Sequence, residues 1–433
     1  MSTKGNITFI FLLFASLKAI ALGDVDPLGA NNTIPTNISI ISISREVKLK
    51  QGYPLDSLLN FTELTAEYGY PSEEHTVITE DGYILSIFRI EGKNCQGPTR
   101  SPPVLIMHDL LMSSDSWLDS GPGSGLAYLI SDDCYDLWVG NVRGNYYGKR
   151  HQTLDPETDI DFWQFTVYEI GVYDVPAIIN YILNQTSSDK INYIGYSQGA
   201  STYFIMCSET EGYCDKVSLF IGLEPDSKNT FTKSILWRFI AETFQFLSPH
   251  LTEIGIYEAL PLGGIFQDTA SYVCSDYVMA DTFCRDFLNL LDSPHPGSVD
   301  TETIRVLAGH FPAGTSVKNM VWYSQSLNVD RFQHFDYGNT ANMELYNSTR
   351  PPAYNLTATT TPTLVINGLN DYLTVPADVD WLTSHLPNVV EHYIVQDPLW
   401  NHLDVPYSNL TSKEILPKIT AYLSKYSNET LQT

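Results

Sequence analysis

Residues 191–206 read INYIGYSQGASTYFIM, and they decide the fold. Four apolar-rich residues, 191–194, have the length and pattern of a buried strand. The pentapeptide Gly195-Tyr196-Ser197-Gln198-Gly199 follows, and a helix-compatible run comes next. G-x-S-x-G alone arises often by chance. Between a strand and a helix it is the sharp turn that lifts a serine hydroxyl above a sheet edge. Such a turn forces unusual backbone angles on the serine and crowds its neighbours, which glycine on both sides relieves. Ser197 is the predicted nucleophile.

The surrounding segments extend this pattern. Residues 74–90 alternate around Asp81-Gly82, as in a hairpin. Short apolar runs at 103–107, 135–139, 217–223, 363–366 and 389–395 read as further strands, and 174–184 has helical spacing with Pro176 near its start. Alternation of strand and helix predicts an α/β fold, a mostly parallel sheet with helices on both faces. Residues 224–355 break the pattern. They hold helical, aromatic-rich runs such as SILWRFIAETFQFL without clear strands, and read as an inserted helical cap. The expected organisation is a signal peptide over 1–23, a polar leader over 24–54, core over 55–223, cap over 224–355 and core again over 356–426.

A serine nucleophile needs a base, and the base needs an orienting acid. In this architecture the chain order is Ser, acid, His. Asp371 lies in INGLND after the strand at 363–366, at the carboxyl end where open α/β sheets bind ligands. Asp378 and Asp380 fall in the following helix and are weaker choices. Of the later histidines, His385 sits on that helix and His392 beside the last strand. His402, in the loop DPLWNHLDVP, lies at the same sheet end as Ser197. Ser197, Asp371 and His402 are therefore the expected catalytic set. The expected oxyanion donors are the backbone amides of Gln198 and of Leu110, in the loop after 103–107. His108 and Asp404 read as structural. This chemistry needs no metal or organic cofactor, and the cysteine spacings are not those of a zinc site.

Composition narrows the setting. The 433 residues carry 24 Lys and Arg against 50 Asp and Glu, a formal charge of −26. That excess excludes a phosphate-binding surface, hence nucleic acid, and docking on anionic lipid. Neutral lipid stays open. Lys4, the apolar run 7–17 and small residues Ala19, Ala21 and Gly23 form a cleaved secretory signal. The run is too short, and is broken by Lys18, for a membrane span, and no later segment approaches spanning length. Sequons at Asn31, Asn37, Asn60, Asn184, Asn347, Asn355, Asn409 and Asn428 fit passage through the secretory pathway. Cys95, Cys134, Cys207, Cys214, Cys274 and Cys284 permit disulfides there, with Cys95 and Cys134 also readable as free thiols.

The chain resembles the secreted and lysosomal acid lipases. The likeness runs from about Asn60 to Lys425, through YGYPSEEHTVITEDGYIL, HDLLMSSDSW, YDLWVGNVRGNYYGKRH, the Ser197 pentapeptide, HFPAGTSVKNM, FDYG, INGLND and NHLD. It implies an α/β-hydrolase core with a helical cap. It also implies a secreted or lysosomal lipase acting on neutral lipid esters at a lipid–water interface. It assigns the same triad and the same two amides, and suggests a Cys274–Cys284 disulfide in the cap. Trp237, Phe239, Phe244, Phe246 and Leu247 are expected to line or cover an acyl pocket.

Two positions depart from the family. Tyr196 stands where His is usual. Asp109 stands where the family has Gly, in H-G-L-L. A left-handed backbone there would strain an aspartate, and its charge would oppose an oxyanion unless it turned outward or took up a proton. The alternatives are therefore an esterase for small soluble esters and a catalytically impaired lipid-binding protein.

Overall fold

The computed structural model describes residues 44–95 and 99–429. The signal-peptide reading, the sequons Asn31 and Asn37 and the side chain of Asn428 lie outside the described residues. The described end of the polar leader carries one helix. Arg45–Lys50 is a short helix, held by Lys50 to Glu46 at 2.6 Å and Arg45 to Glu63 at 2.7 Å. It buries no residue, so no apolar period marks it in the sequence.

Eight strands form the central sheet. They are β1 (Ser72–Ile78), β2 (Ile84–Ile90), β3 (Arg100–Met107), β4 (Tyr135–Val139), β5 (Ile191–Tyr196), β6 (Val217–Leu223), and, beyond a two-stranded pair β7 (Glu258–Ala259) and β8 (Thr315–Ser316), β9 (Thr363–Asn367) and β10 (Val389–Ile394). The order is β1-β2-β4-β3-β5-β6-β9-β10. β1 with β2 and β2 with β4 run antiparallel, and all other pairings in this sheet are parallel. This is an α/β-hydrolase fold. Gly82, at φ 99°, makes the β1–β2 turn that Asp81-Gly82 announces.

The helices that frame the site are α1 (Leu126–Asp132), α2 (Val175–Thr186), α3 (Gln198–Glu209), α4 (Ile235–Glu253), α5 (Ile265–Ser275), α6 (Thr301–His310), α7 (Val317–Ser326) and α8 (Leu416–Glu429). Successive side chains of a strand point to opposite faces, and the core divides accordingly. Leu105, Met107, Tyr193 and Phe220 pack with α2 and α3 on one face. Val104, Ile106, Ile194 and Ile221 pack with α1 and α8 on the other. Burial on both faces explains why β4 and β5 read as mostly apolar runs, broken only by Asp136 and Asn192, rather than as alternation.

Helices α4 to α7 all fall between β6 and β9. The pair β7–β8 corrects the expectation of no strands there: two residues each are too few to show alternation. All six cysteines are bridged, Cys95 to Cys134, Cys207 to Cys214 and Cys274 to Cys284. The free-thiol reading of Cys95 and Cys134 is thereby overturned. No described helix is long and apolar enough to cross a membrane.

Candidate active site

Ser197 follows β5 at φ 49° and ψ −112°, a conformation that only a tightly framed turn sustains. The glycines are required by space. A Cβ on Gly199 would lie 2.5 Å from the Met107 carbonyl oxygen, and one on Gly195 would lie 2.7 Å from that of Gly199. The Ser197 N–H donates to the Leu223 carbonyl at 3.0 Å, which ties the turn to β6. Helix α3 starts at once, so the Gln198 amide is a first-turn N–H with no carbonyl of its own helix to meet.

Asp371 and His402 come together as expected. His402 Nδ1 lies 2.7 Å from Asp371 Oδ2, both side chains buried. Asp371 Oδ1 accepts the N–H groups of Leu373 and Thr374, each at 2.7 Å, which fixes the carboxylate against rotation. The weaker choices go elsewhere. Asp378 pairs with Lys228 at 2.8 Å, Asp380 is exposed, His392 Nε2 meets Asn367 at 2.6 Å, and His385 caps its own helix through the Trp381 carbonyl. Asp404 is structural, receiving His295 at 2.6 Å and the Asn401 N–H at 2.9 Å.

The loop after β3 holds the departure. Asp109 is not among the described residues with positive φ. The left-handed position is Leu111, at φ 61°, so the backbone strain expected at Asp109 falls two residues later. The Asp109 carboxylate turns inward. Its Oδ1 accepts the Leu110 N–H at 2.6 Å and the Gln198 N–H at 3.1 Å. Its Oδ2 lies 3.3 Å from His402 Nε2. The two amides named from sequence thus converge on one point, and that point is occupied by Asp109. Among the described residues no hydrogen bond joins Ser197 Oγ to His402.

Behind the loop, His108 Nδ1–H donates to the Asp109 carbonyl at 2.7 Å, and Nε2 accepts from Asn145 at 3.1 Å. Burial pushes this imidazole down to about 4, so it stays neutral and acts as a strut.

Four participants have roles that the sequence does not show. The Tyr196 hydroxyl donates to the His402 carbonyl at 2.9 Å. Glu224 accepts the Gly368 N–H at 2.7 Å, and Asp292 accepts those of Tyr372 at 2.9 Å and Leu403 at 3.2 Å. Both carboxyls are pushed well up, first by burial and then by the Asp371 charge. Asp226 is buried beside the cleft and pushed up to about 7, by burial and then by Asp109. His402 is held well above the ordinary imidazole range. Burial opposes its charge, and Asp371 together with Asp109 outweighs that opposition.

A cleft opens over Ser197 and His402, walled by Leu111, Trp237, Ile240, Phe266, Phe287 and Leu291. Of the aromatic cluster expected to line it, Trp237 does so. Phe244 packs instead against the adjoining core. The described residues contain no group of His, Cys, Asp and Glu arranged to hold a metal.

Fold and site together define a serine hydrolase of the α/β-hydrolase class. Residues 61–121 match the family described as the partial alpha/beta-hydrolase lipase region, and residues 102–255 match the alpha/beta hydrolase fold. The chain is 33% identical to gastric triacylglycerol lipase of Homo sapiens over 401 residues, covering 91% of this chain and 98% of that one. It is 34% identical to human lysosomal acid lipase/cholesteryl ester hydrolase over 373 residues, covering 85% and 91%. It is likewise 34% identical to Lipase 1 of Drosophila melanogaster over 374 residues, covering 86% and 81%. Among solved structures, a hypothetical protein of Pseudomonas aeruginosa superposes with a TM-score of 0.50 at 12% identity, over 83% of this chain and 94% of that one, which speaks to the fold alone. The chain belongs to the acid lipase family, and it is an ester-hydrolysing enzyme.

Proposed function

We propose that the chain is a lipase of the secretory pathway, secreted or lysosomal, that cleaves carboxylic ester bonds of neutral lipids. Triacylglycerols are the first substrate class and sterol esters the second, in line with the names of its relatives. The observation that carries the reading is the convergence of the Leu110 and Gln198 amides beside Ser197, with Asp371 and His402 already paired.

In the reaction, neutral His402 takes the Ser197 proton as Oγ attacks the ester carbonyl. Asp371 orients the ring and stabilises the imidazolium. The oxyanion forms on the Leu110 and Gln198 amides. His402 then protonates the leaving alcohol, and water, activated by the same imidazole, releases the fatty acid.

The apolar cleft favours acyl chains over small polar esters. Residues 224–355 act as the cap. Exposed Ile235, Ile265, Tyr272 and Val278 on or near this segment's helices suit contact with a lipid–water interface, where the charge of −26 is no obstacle. The exposed sequons Asn60, Asn184, Asn347 and Asn355 are the sites expected to carry glycans. Asn409 is half-buried, its amide donating to the Gly297 carbonyl and Asp300. The test compares fatty-acid release from emulsified triacylglycerol and from soluble short-chain ester, for the wild type and Ser197→Ala. The expected result is preference for the emulsion and loss of activity in the variant. Equal activity in both proteins would overturn the reading.

A further inference from the structure

The Asp109 carboxylate occupies the position that catalysis needs empty. A fatty acid leaving this site would place one oxygen on the two amides and the other toward His402. Asp109 makes those contacts from within the chain, at 2.6 and 3.1 Å on one oxygen and 3.3 Å on the other. Its side chain also lies on the cleft wall, 13% exposed, so rotation into the cleft is open to it. The imidazole is engaged on both nitrogens by carboxylates, Asp371 on Nδ1 and Asp109 on Nε2. With both nitrogens facing acceptors, both carry hydrogen, and Nε2 has no lone pair for the Ser197 proton.

We propose that Asp109 is a resident mimic of the carboxylate product, which fills the oxyanion hole and engages His402 until an entering substrate displaces it. This rests on the lipase reading above and adds a gate to that same site. Two parts of the machinery are blocked by one side chain. The amides have no free direction for a carbonyl oxygen, and the base is spent. Displacement frees both, provided that the Nε2 proton leaves with Asp109 or to solvent. Only a substrate that supplies enough binding energy along the apolar cleft gains by this exchange, so the gate also selects for long acyl chains.

The test uses the intact protein and a fluorophosphonate ester. Ser197 Oγ bonds to phosphorus, fluoride leaves, and the Ser197 proton passes to His402. The phosphoryl oxygen needs the two amides. Asp109→Gly should be labelled about tenfold or more faster than the wild type, the scale on which oxyanion donors act. Asp109→Asn keeps the acceptor but not the charge, and should fall between. A second readout is octanoate, which should inhibit Asp109→Gly and leave the wild type nearly unaffected. Labelling of Asp109→Gly at the wild-type rate or slower, in protein with an unchanged melting temperature, would overturn the gate alone. Failure of every folded variant to label would overturn the Ser197 assignment, and the gate with it.

Discussion

The Tyr196 hydroxyl donates to the His402 carbonyl oxygen at 2.9 Å, and the two rings lie 5.0 Å apart. The residue before the nucleophile therefore holds the loop that carries the base. Ser197 and His402 come from the segments after different strands, β5 and β10, and this bond ties the two segments together. Tyr196→Phe keeps the ring, including its edge contact with Trp117 at 5.8 Å, and loses only the donor. We expect kcat to fall severalfold with KM nearly constant, and stability to fall by about 1 kcal/mol. Steady-state kinetics and a denaturant midpoint check both. A larger change in KM than in kcat would assign Tyr196 to binding instead.

Asp371 makes a second prediction. Its Oδ2 meets His402 Nδ1 and its Oδ1 holds two loop amides, so Asp371→Asn keeps the turn while presenting an N–H where the imidazole needs an acceptor. We expect kcat to drop by roughly 10³ or more with the fold retained. Glu224 lies close enough to feel the Asp371 charge, and it comes directly after the neighbouring strand β6. If Glu224 substitutes for Asp371, the loss shrinks to severalfold, and Asp371→Asn combined with Glu224→Gln restores the full loss. The double variant separates these outcomes.

The legible and the hidden parts of this site differ in a physical way. Ser197 follows β5 directly, Asp371 and His402 lie in the loops after β9 and β10, and the strand pattern places all three at one sheet end. The eight-stranded sheet is readable for a related reason, since β4 and β5 are mostly apolar and buried throughout. Asp292 comes from the segment between β6 and β9, and nothing local distinguishes it from a helix-ending aspartate. Nothing in the sequence marks Glu224 or Asp226 out, because burial is a tertiary property. Asp109 is visible as an unusual residue, but the inward turn of its carboxylate onto two amides is set by the fold. The short strands β7 and β8 leave no pattern at all, because two residues cannot alternate.

The pH dependence of hydrolysis follows from His402. Its conjugate acid is stabilised by Asp371 and Asp109, so its titration lies above the ordinary imidazole range. The base must be neutral to act, and activity should rise with pH through that raised value. Glu224, Asp292 and Asp226 also face this imidazolium, and burial favours their protonated forms. Removing the Asp109 charge lowers the titration of His402. The acid limb of kcat/KM for a soluble short-chain ester should therefore move to lower pH in Asp109→Asn. A profile measured from about pH 4 to 9 checks the sign. A shift to higher pH would show that Asp109 does not stabilise the imidazolium.

Stability has its own pH signature, away from the chemistry. His310 ends α6 and is buried, with Nδ1 2.6 Å from Asp119 Oδ1 and Nε2 donating to the Leu59 carbonyl at 2.9 Å. Burial opposes its charge, but Asp119 prevails, with Asp115 adding to it, and the imidazole is pushed up to about 9. A group raised on folding stabilises the native state fully below its unfolded value of about 6.5. That contribution fades as pH rises through the folded value. The melting temperature should thus decline between about pH 6.5 and 9 in the wild type. Asp119→Asn leaves His310 without its counter-charge and should cost roughly 3–5 kcal/mol near neutral pH. It should also lessen the decline, because His310 then folds in its neutral form, leaving the part that the raised His402 contributes. A variant that melts lower but keeps the wild-type slope would place the pH dependence on another group.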